Sequence, residues 1–237
     1  GFVDANDAEA HFRDCGSPFS GHVERSLPGV DWSSGNLGQG LAAGVGYALA
    51  ARARKNGAHT FVLMGDGGQT KGQSAEARRI ARKEQLGALT VLVDCNGIQI
   101  SGATDRVMPA DLEALWKADG WRVLSCDGHD FRALYRTLRE ARNDGEPTVI
   151  FCRTVMGKGV GFMEGTPEYH GKAPSGDRYV QAMKDLGGDP HRLEAAKKRR
   201  GAELLPQQRR VLPYALDIPR PMPPRTKRTA VPPSGRR

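Results

Sequence analysis

No run of about 18 apolar residues occurs anywhere in the 237 positions, so no helix of this chain is expected to span a membrane. The first residues, "GFVDANDAEAHF", are acidic and lack the apolar centre of a signal peptide, so no secretory leader is expected. Residue 1 is Gly rather than Met, which reads as a start inside a longer gene product or after processing. Cysteine is scarce. Cys15, Cys95, Cys126 and Cys152 are widely separated, with no C-x-x-C pair and no Cys/His cluster at zinc spacing. Three of them lie in or beside apolar, strand-like runs, where a reduced thiol acts as a small hydrophobe. A reducing, cytoplasmic compartment is therefore the expectation.

Residues 1–184 have no net charge, with 22 Lys/Arg against 22 Asp/Glu. The whole excess of +8 sits in residues 185–237, together with nine of the 15 prolines. Two units are expected: a body over 1–184, long enough for one sizeable core, and a basic, Pro-rich tail over 185–237. The segment "DPHRLEAAKKRRGAELL" suits one short helix. "PRPMPPRTKRTAVPPSGRR" does not, because Pro removes donors and blocks the helix. The tail lacks aromatic interleaving and any nucleic-acid motif, so it reads as a largely irregular, solvated extension, not a nucleic-acid arm.

The body alternates helix and strand signals. "LGQGLAAGVGYALAARARK" (37–55) reads as a closely packed helix ending in basic residues that suit its dipole. "HTFVLMG" (59–65) and "LTVLVDC" (89–95) are short buried strands, separated by the charged amphipathic helix "SAEARRIARKEQLG" (74–87), which Gly87 can end. The helix "PADLEALWKADG" (109–120), the strand "WRVLSC" (121–126), the helix "DFRALYRTLREARNDG" (130–145) and the strand "PTVIFCRTV" (147–155) follow. Near-continuous apolar strands spaced by helices indicate an α/β fold, a parallel sheet with helices on both faces. Ligands of such sheets bind beyond the carboxyl ends of the strands, where Asp66 and Asn96 fall.

In "FVLMGDGGQTKGQ" (61–73), Gly65 and Gly67 permit a sharp turn and a close backbone approach, and the following residues lead into a helix N-terminus that favours anions. A carboxylate there would repel a phosphate unless a divalent cation lay between them. Mg²⁺ takes oxygen ligands from one or two protein groups plus phosphates and water. Asn96, in "DCNGIQISG", offers a second oxygen and the carbonyl of Ile98 a third. Gly-Asp-Gly alone also fits an ordinary turn. Gly-Asp-Gly followed after 28 residues by Asn, each ending a buried strand, resembles the thiamine diphosphate motif.

Further segments narrow the resemblance. "GHVERSLPGVDWSSGNLGQGLAAGVGYALA", "DGHD" (127–130) and "TVMGKGVGFMEGTPEYHGKAP" (154–174) resemble, in order, the diphosphate-binding domain of transketolases, particularly those split into two subunits. A dinucleotide site in "GNLGQG" is rejected, because it follows a Ser-rich loop and its glycines are not in G-x-G-x-x-G order. The resemblance implies the thiamine diphosphate-binding fold and the cofactors thiamine diphosphate and Mg²⁺. The metal would be held by Asp66, Asn96 and Ile98, the diphosphate met at Gly65 and the Gly67 amide, and the rings lined by Gly35, Leu37 and Ile100. His22 and His170 would act on substrate. His129 is read as a turn residue, and His11, His59 and His191 as surface residues. The implied reaction moves a two-carbon ketol unit between sugar phosphates.

The family's pyrimidine-binding domain is absent from this stretch, as is an N-terminal segment of roughly sixty residues. A partner chain carrying that domain is therefore implied. Where split transketolases carry Glu in this turn, Lys71 stands, a reversal of charge that is either functional or a solvated helix-start residue. The alternatives are a 2-oxoacid dehydrogenase or deoxyxylulose-phosphate synthase component, and a non-catalytic regulatory subunit. "GHVE" with "GNLGQGL" favours transketolase over the first, and the Asp66/Asn96 pair opposes the second.

Overall fold

Four apolar runs become the four strands of one parallel sheet. A computed structural model describes residues 2–142 and 145–202; positions 203–237, and with them most of the basic tail read from the sequence, lie outside the described residues. The sheet comprises β1 (Thr60–Gly65), β2 (Leu89–Cys95), β5 (Arg122–Asp127) and β6 (Thr148–Arg153), in the order β1-β2-β6-β5. Val62 pairs with Val91, and Val149 lies between Val91 and Val123 in register. A two-stranded hairpin, β3 (Ile98–Gln99) and β4 (Gly102–Ala103), projects beyond the end of β2.

Helices lie on both faces of the sheet, but β1, read from the sequence as a buried strand, is covered on one face only: Val62 is buried, whereas Phe61 and Leu63 are 49% and 76% exposed. On one side α2 (Gln39–Arg54), α3 (Gly72–Lys83) and α5 (Leu112–Ala118) bury Leu41, Val45, Ala77, Ala81 and Trp116 against Val62, Val91, Val93, Val149 and Phe151. On the other, Leu134, Leu138 and Ala141 of α6 (Phe131–Ala141) pack on Leu92, Leu124, Ile150 and Cys152. The remaining helices are α1 (Ala5–His11), α4 (Thr104–Val107), α7 (Asp177–Asp185) and α8 (Arg192–Ala202).

Helix ends differ from the sequence reading for identifiable reasons. The helix expected over 74–87 stops at Lys83, because Gln85 takes the left-handed seat (φ 51°) expected of Gly87. The Leu86 and Gln85 N–H groups then bond back to Ala81 and Arg82, and Leu86 is buried. The helix expected from Pro109 begins at Leu112, because Asp111 serves as its N-cap and accepts from Ala114 N–H at 2.9 Å. His11, read as a surface residue, is 3% exposed. It lies on α1, which packs against α8, and Glu9 pairs with Arg192 across 183 residues of chain. Local patterning could not show a contact of that separation. His59 is half-buried and shares a 2.8 Å hydrogen bond with Thr90 Oγ1, whereas His191 is exposed.

Small residues in α2 serve packing. A Cβ on Gly44 would overlap Val62 Cγ2 and touch Leu89 Cδ1. Gly44→Ala should therefore lower the urea unfolding midpoint by an amount equivalent to about 1–3 kcal/mol, in the range of overpacked cores. A gain in stability, as helix propensity alone would give, would show that α2 is free to lift from β1.

Candidate functional site

The parallel sheet brings the carboxyl ends of β1 and β2 side by side, with Gly65 paired to Asp94. β1 leads into a short 3-10 turn, Asp66–Thr70, and α3 follows. Asp66 is 5% exposed. Its Oδ1 accepts from the Gly67 N–H at 2.7 Å and its Oδ2 from the Gly97 N–H at 2.9 Å, with Thr104 Oγ1 at 3.4 Å. The Gly97 bond ties the Gly-Asp-Gly turn to the turn that carries Asn96. Burial raises the Asp66 carboxyl above its ordinary range, partly offset by those donors, and the Asp94 carboxylate pushes the same way as burial. Among the described residues no cation pairs with Asp66.

Asn96 Oδ1 accepts from the Ile98 N–H at 2.9 Å, which bends the chain into β3. Gly97 adopts φ 72°, the left-handed conformation that the bend needs. Ile100 tops the turn between β3 and β4 and is 77% exposed. His170 ends a second 3-10 turn, Pro167–His170, which packs against β3.

The loop before α2 closes the other side. A Cβ at Gly35 would lie 3.4 Å from the His22 ring, so backbone and imidazole are in contact there. Leu37 reaches Gly68, and Gly38 sits against the Lys71 stem, where an added Cβ would be 2.8 Å from Lys71 Cβ and Cγ. Of the residues singled out from sequence, Asp66, Gly67, Asn96 and Ile98 thus form one hydrogen-bonded group, with Gly65 at its base. His22, Gly35, Leu37 and Lys71 form a flank against the same turn, and His170 and Ile100 lie at the β3 side. The Gly67 amide is already engaged by Asp66. Lys71 is exposed and holds the N-cap position of α3 without a capping bond from its side chain.

The supporting residues lie within the quoted segments, but nothing local marked their roles. Thr154 Oγ1 donates to Asp94 Oδ1, and Asn96 Nδ2 reaches Asp94 Oδ2 at 3.4 Å, so Asp94 braces the Asn96 turn. Gln69 Oε1 accepts from Trp116 Nε1, and Ser74 Oγ donates to the Gly68 carbonyl at 2.9 Å. Gln99 lies over Gly67. His129 Nε2 accepts the Val155 N–H at 2.8 Å, the turn-holding role expected of it. Burial, then Asp66 and Asp94, push the Cys95 thiol up to about 12, so it stays a thiol.

The matching family model is the transketolase thiamine diphosphate binding domain, over residues 3–198. The chain belongs to the transketolase family. It is 36% identical over 181 residues to one of the subunits of the apulose-4-phosphate transketolase of Phocaeicola vulgatus, an alignment covering 76% of this chain and 64% of that protein. It is 38% identical over 200 residues to the transketolase of Sinorhizobium medicae, covering 81% of this chain and 29% of the relative. Among solved structures, a transketolase from Campylobacter jejuni superposes with a TM-score of 0.73 at 32% identity, covering 81% of this chain and 33% of that one. The chain thus spans less than two thirds of the Phocaeicola protein and about a third of the single-chain transketolases. The parallel sheet flanked by helices is the transketolase architecture. Among the described residues no helix is long and apolar enough to cross a membrane.

The brace on Asp94 is testable. Thr154→Val keeps the shape but removes a donor to a charged group, and should cost about 1.5–3 kcal/mol in chemical unfolding, with Thr154→Ser close to wild type. Equal stability of all three would mean the Asn96 turn holds itself.

Proposed function

We propose that this chain is the diphosphate-binding subunit of a thiamine diphosphate-dependent, transketolase-like enzyme that transfers a two-carbon ketol unit between sugar phosphates. The observation that carries the reading is the Gly97 N–H bond to Asp66, which ties a buried carboxylate, with no cationic partner among the described residues, to the turn that carries Asn96. Asp66, Asn96 Oδ1 and the Ile98 carbonyl are the hard oxygens that Mg²⁺ takes, and Asp66 Oδ1 and Asn96 Oδ1 each keep a lone pair beyond the one donor each accepts. The cation would offset the burial that now raises the Asp66 carboxyl. The Gly67 N–H, given at present to Asp66, would turn to a diphosphate oxygen. A Cβ at Gly65 meets nothing within 4 Å, which leaves the room a diphosphate requires.

The chemistry that thiamine diphosphate supplies when bound is nucleophilic attack on a ketose carbonyl and carriage of the two-carbon fragment. The chain's own groups position and stabilise. His22, backed by Gly35, would donate to a substrate oxygen as it gains charge. His170 would approach from the β3 side. Leu37 and Ile100, both exposed, would flank the cofactor rings. These apolar rims also suit cover by a partner chain with the pyrimidine-binding domain. The Phocaeicola relative, named as one of a transketolase's subunits, supports such a two-chain assembly. A solved Pichia stipitis transketolase, 29% identical, is complexed with sedoheptulose-7-phosphate, which supports a sugar phosphate substrate here. Four free cysteines fit a reducing, cytoplasmic compartment.

Asp66→Ala should weaken Mg²⁺-dependent thiamine diphosphate binding at least a hundredfold, about 2.7 kcal/mol, by calorimetry on the chain assembled with its partner. Saturation at the wild-type cofactor concentration would reduce Asp66 to a turn residue and overturn the reading.

Lys71→Glu should change turnover on phosphorylated ketoses without lowering the unfolding midpoint, because an exposed helix-start position tolerates either charge within about 0.5 kcal/mol. Unaltered kinetics on every ketose tried would make Lys71 a solvated residue only.

A further inference from the structure

A cavity of about 720 Å³ opens at the opposite end of the sheet from Asp66, between the C-terminal ends of α2 and α6 and the loop that leads into β2. Its volume lies in the range of small-ligand pockets. Arg52 and Lys55 from the end of α2, His59 before β1, and Arg139 and Arg142 from the end of α6 all line it, and among the described residues no carboxylate does. Some exposed cations elsewhere are matched, as in Arg122–Glu140, Arg153–Glu113 and Lys172–Glu168, whereas among the described residues Lys71 and Lys158 stand singly rather than on a shared concave surface. Here Arg52 is tied to the carboxylate and carbonyl of Glu84, which fixes its guanidinium at the cavity wall. Among the described residues no carboxylate lies within ion-pair distance of Lys55, Arg139 or Arg142. His59 is held by Thr90 and by a ring contact with Phe61 at 4.6 Å.

Helix dipoles favour a cation at each C-terminal end. They do not require the cations of two helices to open on one concave surface, where like charges raise a positive potential. We propose that this cavity is a second binding site, for a small phosphate-bearing anion. Guanidinium forks match phosphate oxygens in pairs, and a phosphate monoester brings nearly two charges and three acceptors to several donors at once. A single carboxylate offers fewer. The site is separate from the one proposed at Asp66: β1 leads from the cavity rim to Gly65.

The test is calorimetry of the full-length chain with inorganic phosphate and with pyrophosphate, in EDTA so that no divalent cation assists. Pyrophosphate should bind wild type and Asp66→Ala alike. The double variant R139E/R142E should lose on the order of tenfold or more, since two paired contacts become repulsions. Both positions are exposed, and the basic segment 203–237 is unchanged in the variant, so its contribution cancels. If the double variant unfolds, Lys55→Gln and Arg142→Gln separately should each weaken binding. Equal affinity in wild type and the charge variants would overturn the proposal. So would loss of binding in Asp66→Ala, or binding to heparin with none to either phosphate probe.

Discussion

Asp66 accepts two backbone N–H groups, one from its own turn and one from the turn after β2, and the carboxyl edge of the sheet is organised around that pair of bonds. The first fixes the 3-10 turn that carries β1 toward α3. The second locks Gly97, and so Asn96 and Ile98, at a set position beside it. Thr104 joins the same carboxylate and brings the exit of β4 with it. One buried carboxylate thus assembles three segments at the expense of its own desolvation. Such a group is costly to bury, the pattern expected where function rather than stability selects the residue.

The strands were the most legible elements, for a physical reason. A strand with an apolar residue at nearly every position has its ends marked by the first polar or small residue, although in β1 two of those residues, Phe61 and Leu63, are exposed. "LTVLVDC" matches β2 residue for residue. Helix ends were less legible because several residues compete for each cap. Asp111 displaced Pro109 as the start of α5, and Gln85 took the left-handed seat that Gly87 could have filled. At the site, the motif residues were readable because their chemistry is unusual at strand ends. Thr154 and Gln69 were not, because a Thr 60 residues from Asp94 and a Gln 47 residues from Trp116 carry no local sign of the partner they meet.

The core behind the site shows how an apparently unfavourable residue is absorbed. Arg78 is 3% exposed within an apolar layer. Its Nε donates to Asp119 at 2.7 Å, its guanidinium lies 5.1 Å from the Trp116 ring, and its carbonyl accepts from Trp121 Nε1 at 3.0 Å. Trp116 in turn donates to Gln69, three residues beyond Asp66. The charge is therefore paired, stacked and connected to the turn that carries the site. Breaking such a pair on one side would leave an uncompensated charge, which makes the arrangement a rigid backing for Asp66 despite its modest net worth.

The balanced charge of residues 1–184 conceals a separation that the parallel sheet creates. Because all four strands run the same way, residues that follow strands gather at one edge and residues that precede them at the other. Asp66 and Asp94 gather at the carboxyl edge of β1 and β2, and Asp127 ends β5. At the other edge, α2 and α6 finish with Arg52, Lys55, Arg139 and Arg142. Arg153, which ends β6 beside Asp127, stands among the carboxylates of the carboxyl edge. Antiparallel strands would have mixed the residues of the two ends. The sheet direction, fixed by the helix-strand alternation of the sequence, therefore decides which residues meet at each end of the sheet, the turns of Asp66 and Asn96 at one and the ends of α2 and α6 at the other.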